Sequence, residues 1–455
     1  MGIDFKLRDF AYPISILRLK KRFDQNQWLM EEALSYYQVT RLKKIMTHAY
    51  QNIPYYRKLF QDHQVFPDEI KTLDDLKAIP FLTKDLLRRS FTSLLATDAK
   101  KYKPTLLSTS GTTGGQVRFY VDKPSNVLEF VYYWRFWGWA GYRLGETFAE
   151  FSAQDFTPIA GNIKTICHFD SFLRKLKVNS LLLSKKRLED YIGIFKTYKP
   201  QFLKGLPSNL YVFSLLLNER KNHGISFRAI FAQGENLLQH QRENIERTFS
   251  CKVYDSYGHM ERTVAISQCP LGTYHIHSDY GIAELVDPEI PLMVSPHTET
   301  CIKEVIGTSL YNLGMPLLRY RTDDFVVVAR HPQKCPCQRG FPTVISVLGR
   351  STDVVITPDG RAITALYLVF DRTPGVLQGQ IIQERTDQIL VKVVCHGHEN
   401  TDVERRLVAN LRDFVGTSMD IKVEHTGMDE IQPEKGKKFK VVVSHVAPET
   451  ILESR

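Results

Sequence analysis

The chain has 455 residues, 43% hydrophobic and 24% charged, with a formal charge of +10. That balance excludes a disordered or fibrous chain, and the length exceeds the roughly 250–300 residues at which single cores stop growing. Lysines and arginines are scattered rather than blocked, which argues against nucleic-acid binding.

Met1 to Phe10 holds Asp4, Lys6, Arg8 and Asp9 and no apolar secretory core, so a cytoplasmic, thiol-reducing setting is expected for seven widely spaced cysteines. The first quarter, 1–103, reads as helical. Val39, Leu42, Ile45, Met46, Ala49 and Tyr50 recur at helical spacing, and Pro54 ends or kinks that helix. Thr72 and Thr83, each followed by acidic residues, predict two helix N-caps. The most apolar run, 127–142, is shorter than the roughly 20 residues of a bilayer span, and Glu129 and Arg135 interrupt it. No transmembrane segment is expected; a buried aromatic helix is.

From about residue 104 strands alternate with helices: TLLSTS, VRFYVD, FLKG before PSNLYVFSLLL, RAIFAQ before LLQHQRENIERTF, then KVYDSYG. This βαβ rhythm predicts α/β layers with functional loops at strand ends. Short strands follow residue 300, and the last hundred residues read as a compact α+β unit. The predicted fold is α/β: a large multilayer domain, 1–349, of sheets flanked by helices, and a small mobile α+β domain, 350–455.

Residues 108–116, STSGTTGGQ, hold five hydroxyl side chains and three glycines. After a strand, such a loop either turns freely or presents backbone N–H groups to phosphate oxygens; it lacks the lysine of a Walker loop. YGHME, 257–261, offers an aromatic face for a base and a carboxylate for Mg2+; YRTDD, 320–324, and GRSTD, 349–353, add an acid and an arginine suited to ribose hydroxyls. Three thiolates and an imidazole, Cys269, His275, Cys335 and Cys337, suit a tetrahedral Zn2+, with His277 a rival ligand. The other cysteines, Cys167, Cys251, Cys301 and Cys395, read as core residues.

In this order the motifs resemble the adenylate-forming superfamily, specifically the phenylacetate–CoA ligases and their capsular-polysaccharide relatives. The resemblance spans most of the chain and includes AQGENL, 232–237. It implies that Ser108, Thr109, Ser110, Gly111, Thr112, Thr113 and Gly114 grip the ATP phosphates. Gly234, Glu235, Asp255, Tyr257 and Gly258 would line the adenine site, and Glu261 would bind Mg2+. Asp324 and Arg350 would hold the ribose. Thr352 or Asp353 would be the hinge, and Lys438 or Lys437 the mobile catalytic lysine. Two departures stand out: Asp323 replaces the family's usual glycine, and Gly115–Gln116 follows the phosphate loop. A cysteine–histidine–paired-cysteine pattern recurs in the family as a structural zinc site. The implied reaction joins a small carboxylic acid to ATP, releases pyrophosphate, and passes the acyl group to CoA. An amine or carrier acceptor, or an inactive scaffold, are the alternatives, and a homodimer is left open. The rings of 127–142 suit an aromatic acid or plain core.

Overall fold

The N-terminal helices form because apolar residues recur every three or four positions. In the computed structural model, helix α1 spans Ile14–Asn26, α2 Glu31–Asn52 and α3 Pro54–Asp62. Leu34, Leu42, Ile45, Met46 and Ala49 of α2 are buried. Pro54 sits in the first turn of α3, where its missing N–H costs nothing. The structure describes residues 14–108, 117–152, 165–171, 173–218, 220, 223–289, 292–293, 299–331, 334–350, 355–359, 361–363, 366, 369–370, 372–395, 401–431 and 439–446.

Thr83 caps α4 (Lys84–Arg89), its hydroxyl accepting the Leu86 N–H at 3.2 Å. Thr72 does not cap. A 3-10 turn at Asp74–Ala78 follows it, and the Asp75 carboxylate reaches back to accept the N–H groups of Lys71 and Thr72. A carboxylate is the stronger acceptor for those exposed amides.

Strands β1 (Thr105–Ser108) and β2 (Arg118–Val121) pair antiparallel with Ser108 opposite Arg118, so the glycine-rich residues join their ends. Asp122 then caps α5 (Lys123–Trp139), accepting the Ser125 N–H at 2.9 Å.

The largest sheet is built around a parallel centre. It contains β3 (Phe148–Ser152), β4 (Cys167–Asp170), β5 (Lys175–Asn179), β6 (Phe202–Gly205), β7 (Ala229–Gln233), β8 (Val253–Gly258), β9 (Ala265–Gln268), β10 (Tyr274–Ile276) and β15 (Thr343–Val344). Its order is β15-β10-β9-β8-β7-β6-β3-β5-β4, with parallel pairing from β5 through β8. Helices α6 (Leu188–Tyr198), α7 (Pro207–Asn218) and α8 (Gln239–Phe249) cover one face, burying Ala149, Leu203, Ile230 and Ala232. Helix α5 covers the other, over Phe148, Phe202, Ala229 and Phe231. Both faces being buried explains the nearly continuous apolar reading of β7. Most rings of α5 are core: Tyr132, Trp134, Phe136 and Trp139 are buried.

A second sheet runs β11 (Gly281–Val286), β13 (Thr300–Ser309), β14 (Tyr320–Ala329) and β16 (Ser346–Arg350), all antiparallel. Val264, Ile266 and Ile276 of the first sheet pack on Val305 and Val326 of the second. Two glycines let them meet. A Cβ on Gly281 would lie 1.8 Å from the Thr263 carbonyl oxygen, and one on Gly307 1.8 Å from its hydroxyl. Gly281→Ala must therefore displace the 259–264 loop. We expect a loss of about 1–3 kcal/mol, read as a lower midpoint of thermal unfolding.

Beyond residue 355 a separate core joins Val355, Leu366, Phe370, Ile381, Val391, Leu407 and Leu411. It lies under β19 (Val376–Arg385), β20 (Gln388–Cys395), β21 (Asp420–His425) and β22 (Val442–Ser444), in the order β21-β20-β19-β22, with helix α9 (Thr401–Val415). Strands β12 (Leu292–Met293), β17 (Val355–Ile356) and β18 (Ala362–Ile363) form a small sheet across the expected boundary. Cys167, Cys251, Cys301 and Cys395 are free and only half-buried; Cys167, Cys251 and Cys395 pack against the cores rather than within them. Among the described residues no helix is long and apolar enough to cross a membrane.

Candidate active site and metal centre

Strands β3, β6, β7 and β8 end on one side of the sheet, where an open α/β sheet presents its loops. Tyr257 closes β8 and donates its hydroxyl to Asp324 Oδ2 at 2.6 Å. Asp324 lies opposite Arg350 in the β14–β16 register. The expected base-stacking tyrosine, the ribose acid and the Arg350 backbone are thus brought together. Tyr320, four residues before Asp324 on β14, donates to Glu261 Oε1 at 2.8 Å.

Glu261 is buried, and its other oxygen faces His259 Nδ1 at 3.1 Å. The Val264 N–H reaches His259 Nε2 at 3.3 Å. A backbone N–H only donates, so Nε2 is the acceptor and Nδ1 carries the proton toward Glu261. Burial would raise the Glu261 carboxyl, but the hydrogen bonds from His259 and Tyr320 outweigh it and hold it at about 2. The group is a fixed anion at neutral pH, with lone pairs left for a divalent cation.

Gly234, at the end of β7, has φ 87°, a conformation open to glycine. Glu235 beside it accepts the N–H of Ser208 at 3.1 Å and that of Phe439 at 3.1 Å. Phe439 directly follows Lys438 in sequence, so the lysine segment leads to this loop. Asn236 also donates to the Leu348 carbonyl, and Tyr211 to that of Leu377. Gly258 follows Tyr257 with open space around its Cα. Asp255 does not join the Tyr257–Asp324 pair: it is buried, accepts from Tyr274 at 2.6 Å, and burial raises its carboxyl. Ser108 is exposed at the end of β1. Thr109, Ser110, Gly111, Thr112, Thr113, Gly114, Thr352, Asp353, Lys437 and Lys438 lie outside the described residues.

Asp323 adopts φ 60°, a conformation glycine takes freely and Asp is among the residues that tolerate. Its carboxylate is taken by Lys84 Nζ at 2.6 Å and so is neutralised by α4.

The metal-ligating candidates converge. One ligand atom each from Cys269, His275, Cys335 and Cys337 lies within 4.8 Å of the others. Cys269 Sγ and Cys335 Sγ are 3.8 Å apart, too far for a disulfide, and equal to the about 3.8 Å that 2.3 Å Zn–S bonds give at a tetrahedral angle. His275 Nδ1 donates to the Phe341 carbonyl at 3.2 Å, leaving Nε2 to face Cys337 Sγ at 3.3 Å. Burial lowers His275 to about 4, so its lone pair is free at neutral pH. His277 is not in the group. Arg135 donates to its Nδ1 at 2.5 Å, and Trp139 stacks on it at 5.0 Å.

Residues 355–445 match the CapK C-terminal domain. The chain is 22% identical to Protein CapK of Staphylococcus aureus, over 88% of this chain and 87% of that protein. It is 24% identical to phenylacetate-coenzyme A ligase of Aromatoleum evansii, over 86% and 90%. This chain is a CapK and phenylacetate-coenzyme A ligase homologue. Its fold is that of adenylate-forming ligases with a C-terminal domain. 2-Hydroxyisobutyryl-CoA ligase in its postadenylation state superposes with a TM-score of 0.70 at 17% identity, over 94% of this chain and 93% of that one.

Sequence reasoning missed His259, Tyr320 and Lys84. A histidine two positions before the candidate metal carboxylate was a usable signal for the first. Lys84 carried none, because it meets Asp323 only through the fold.

Proposed function

We propose that this homologue is an AMP-forming ligase that converts a carboxylic acid to an acyl-adenylate and then passes the acyl group to CoA. The observation that carries the reading is the convergence, at the strand ends, of Tyr257–Asp324, the ionised Glu261 and the Glu235–Phe439 contact. The relatives' names and the ligase fold support it. A carboxylate oxygen would attack the α-phosphorus of ATP while the bond to pyrophosphate breaks. No general base is required, because the acid is already ionised at neutral pH. Tyr257 and Asp324 would orient the nucleoside, and the glycine-rich residues would donate to the phosphates. Glu261 would hold Mg2+, which when bound offsets phosphate charge. A cation from Lys438 or Lys437 would offset the charge developing at the reacting oxygens. Residues 350–455 would form the mobile unit, turning near Thr352 or Asp353 to admit the acceptor. Cys269, His275, Cys335 and Cys337 would hold a structural Zn2+.

The test is ATP–pyrophosphate exchange across a panel of carboxylic acids, followed by product analysis with and without CoA. Acid-dependent exchange and a CoA thioester support the reading. Exchange with an amide product instead would move the acceptor to an amine. No exchange with any acid, and no Mg–ATP thermal shift, would favour an inactive scaffold.

A further inference from the structure

The face of α5 turned toward the site is polar. Asn126, Glu129, Tyr133 and Trp137 recur at helical spacing and are only half-buried, while their neighbours Leu128, Val131, Tyr132 and Phe136 are core. This face meets the loop that carries Glu261. Arg262, the next residue, donates to Asn126 Oδ1 at 2.6 Å and lies 3.8 Å from Glu129, which also accepts the Tyr280 hydroxyl.

Beside it stands a charged group of different origin. Along the sheet face under α5, Phe148 and Phe202 form an apolar layer. Two residues nearer the strand ends, that layer changes to Glu150 and Lys204, which pair across the β3–β6 register. Lys204 Nζ lies 2.7 Å from Glu150 Oε1, and Lys175 holds the other oxygen. The same ammonium sits over the rings of Tyr133 (5.4 Å) and Trp137 (5.9 Å). Burial opposes ionisation of Glu150, but the two lysines outweigh it and hold the carboxyl at about 2.

Desolvating an ammonium among aromatic rings is costly, and plain packing would be served by an aliphatic side chain. The group also carries two cations for one carboxylate, and Lys204 stays partly accessible, with 12% of its side chain exposed. An excess positive charge held near the strand ends attracts an oxygen acceptor. Lys204 is one residue from the end of β6, next to β7, whose following residues are Gly234 and Glu235.

We propose that Lys204, backed by Glu150 and Lys175, is a specificity wall of the acid pocket, and that the acid activated carries a second oxygen group, hydroxyl or carboxylate, on its tail. This rests on the adenylation reading above. The wall disfavours an unsubstituted aryl acid, because such a ring would leave the Lys204 ammonium without an added acceptor while covering it from water.

The experiment compares butanoate, 4-hydroxybutanoate, butanedioate and phenylacetate by pyrophosphate exchange in the wild type, Lys204→Met and Lys204→Arg. Calorimetric binding of each acid without ATP runs beside it. The wild type should prefer 4-hydroxybutanoate or butanedioate over butanoate by about tenfold or more in kcat/KM. Which of the two leads identifies the oxygen group. Lys204→Met should abolish that preference mainly through KM, and Lys204→Arg should retain part of it. Preference for butanoate or phenylacetate, unchanged in Lys204→Met, overturns the wall and leaves adenylation standing. Absence of all exchange with Lys204-dependent binding of the polar acids overturns adenylation and leaves the wall standing. Absence of both exchange and Lys204-dependent binding overturns the two together.

Discussion

Glu261→Gln is expected to lower pyrophosphate exchange by about 10²–10³-fold while leaving the protein folded. The substitution is clean for a geometric reason. The Val264 N–H fixes His259 with Nδ1 as a donor, so the new amide must turn its oxygen to His259. Its nitrogen then faces Tyr320, whose hydroxyl can rotate to accept. His259 and Tyr320 each keep a hydrogen bond to the side chain, and the negative charge goes. Thermal unfolding at neutral pH should fall to a lower midpoint by the part the charge contributes, while the Mg2+ dependence of exchange should move to higher concentration. The acid limb gives a second readout. The folded carboxyl is depressed to about 2, below its ordinary value of 4.5, so its stabilising contribution is full above about pH 4.5 and is lost as pH falls through 2. The variant should lack that part of the acid-induced loss. Exchange at the wild-type rate in Glu261→Gln would remove Glu261 from the chemistry.

The second large effect is expected at the four-ligand group. Purified protein should contain about one zinc per chain, and Cys337→Ser should lose it. Stripping the metal should lower the unfolding midpoint by roughly 5–10 °C. The ligands come from the turn after β9, from β10 and from the loop before β15, so a bound metal would cross-link the loops at the ends of strands that are otherwise held by backbone pairing. Burial pushes the Cys269 thiol up to about 11, so without a cation it stays protonated and offers little attraction to its neighbours. Metal-free protein that unfolds at the same temperature, with Cys337→Ser unaltered, would reduce the cluster to packed thiols.

What was readable in the sequence follows physical range. The helical stripe of α2, the Thr83 cap and the strand-then-loop segments depend on neighbours a few residues away, and each formed as expected. Thr72 does not cap because the 3-10 turn starts one residue later, with Leu73 at the cap position, and Asp75 instead reaches back to the N–H groups of Lys71 and Thr72. His275 and His277 could not be separated by spacing, since both point to the same side of an extended segment; Arg135, 142 residues from His277, makes the difference. The aromatic helix read as pocket lining or core; most of its rings are core, and one face is only half-buried. Glu150 and Lys204 were plain strand residues until β3 and β6 came into register.

Arg135 has one more consequence. Its guanidinium, wholly inside the protein, binds both Asp279 oxygens (2.7 and 2.9 Å) and the Phe23 carbonyl of α1 (2.8 Å), between the rings of Phe23 and Phe341. A single side chain therefore ties the first described helix to the strand region beside the cysteines. Pruning the chain past Phe23 would take from this buried cation one carbonyl acceptor and one of its two flanking rings, leaving it the Asp279 pair. The leading helix is thus a keystone rather than an ornament, and heritable shortening from that end should stop before it.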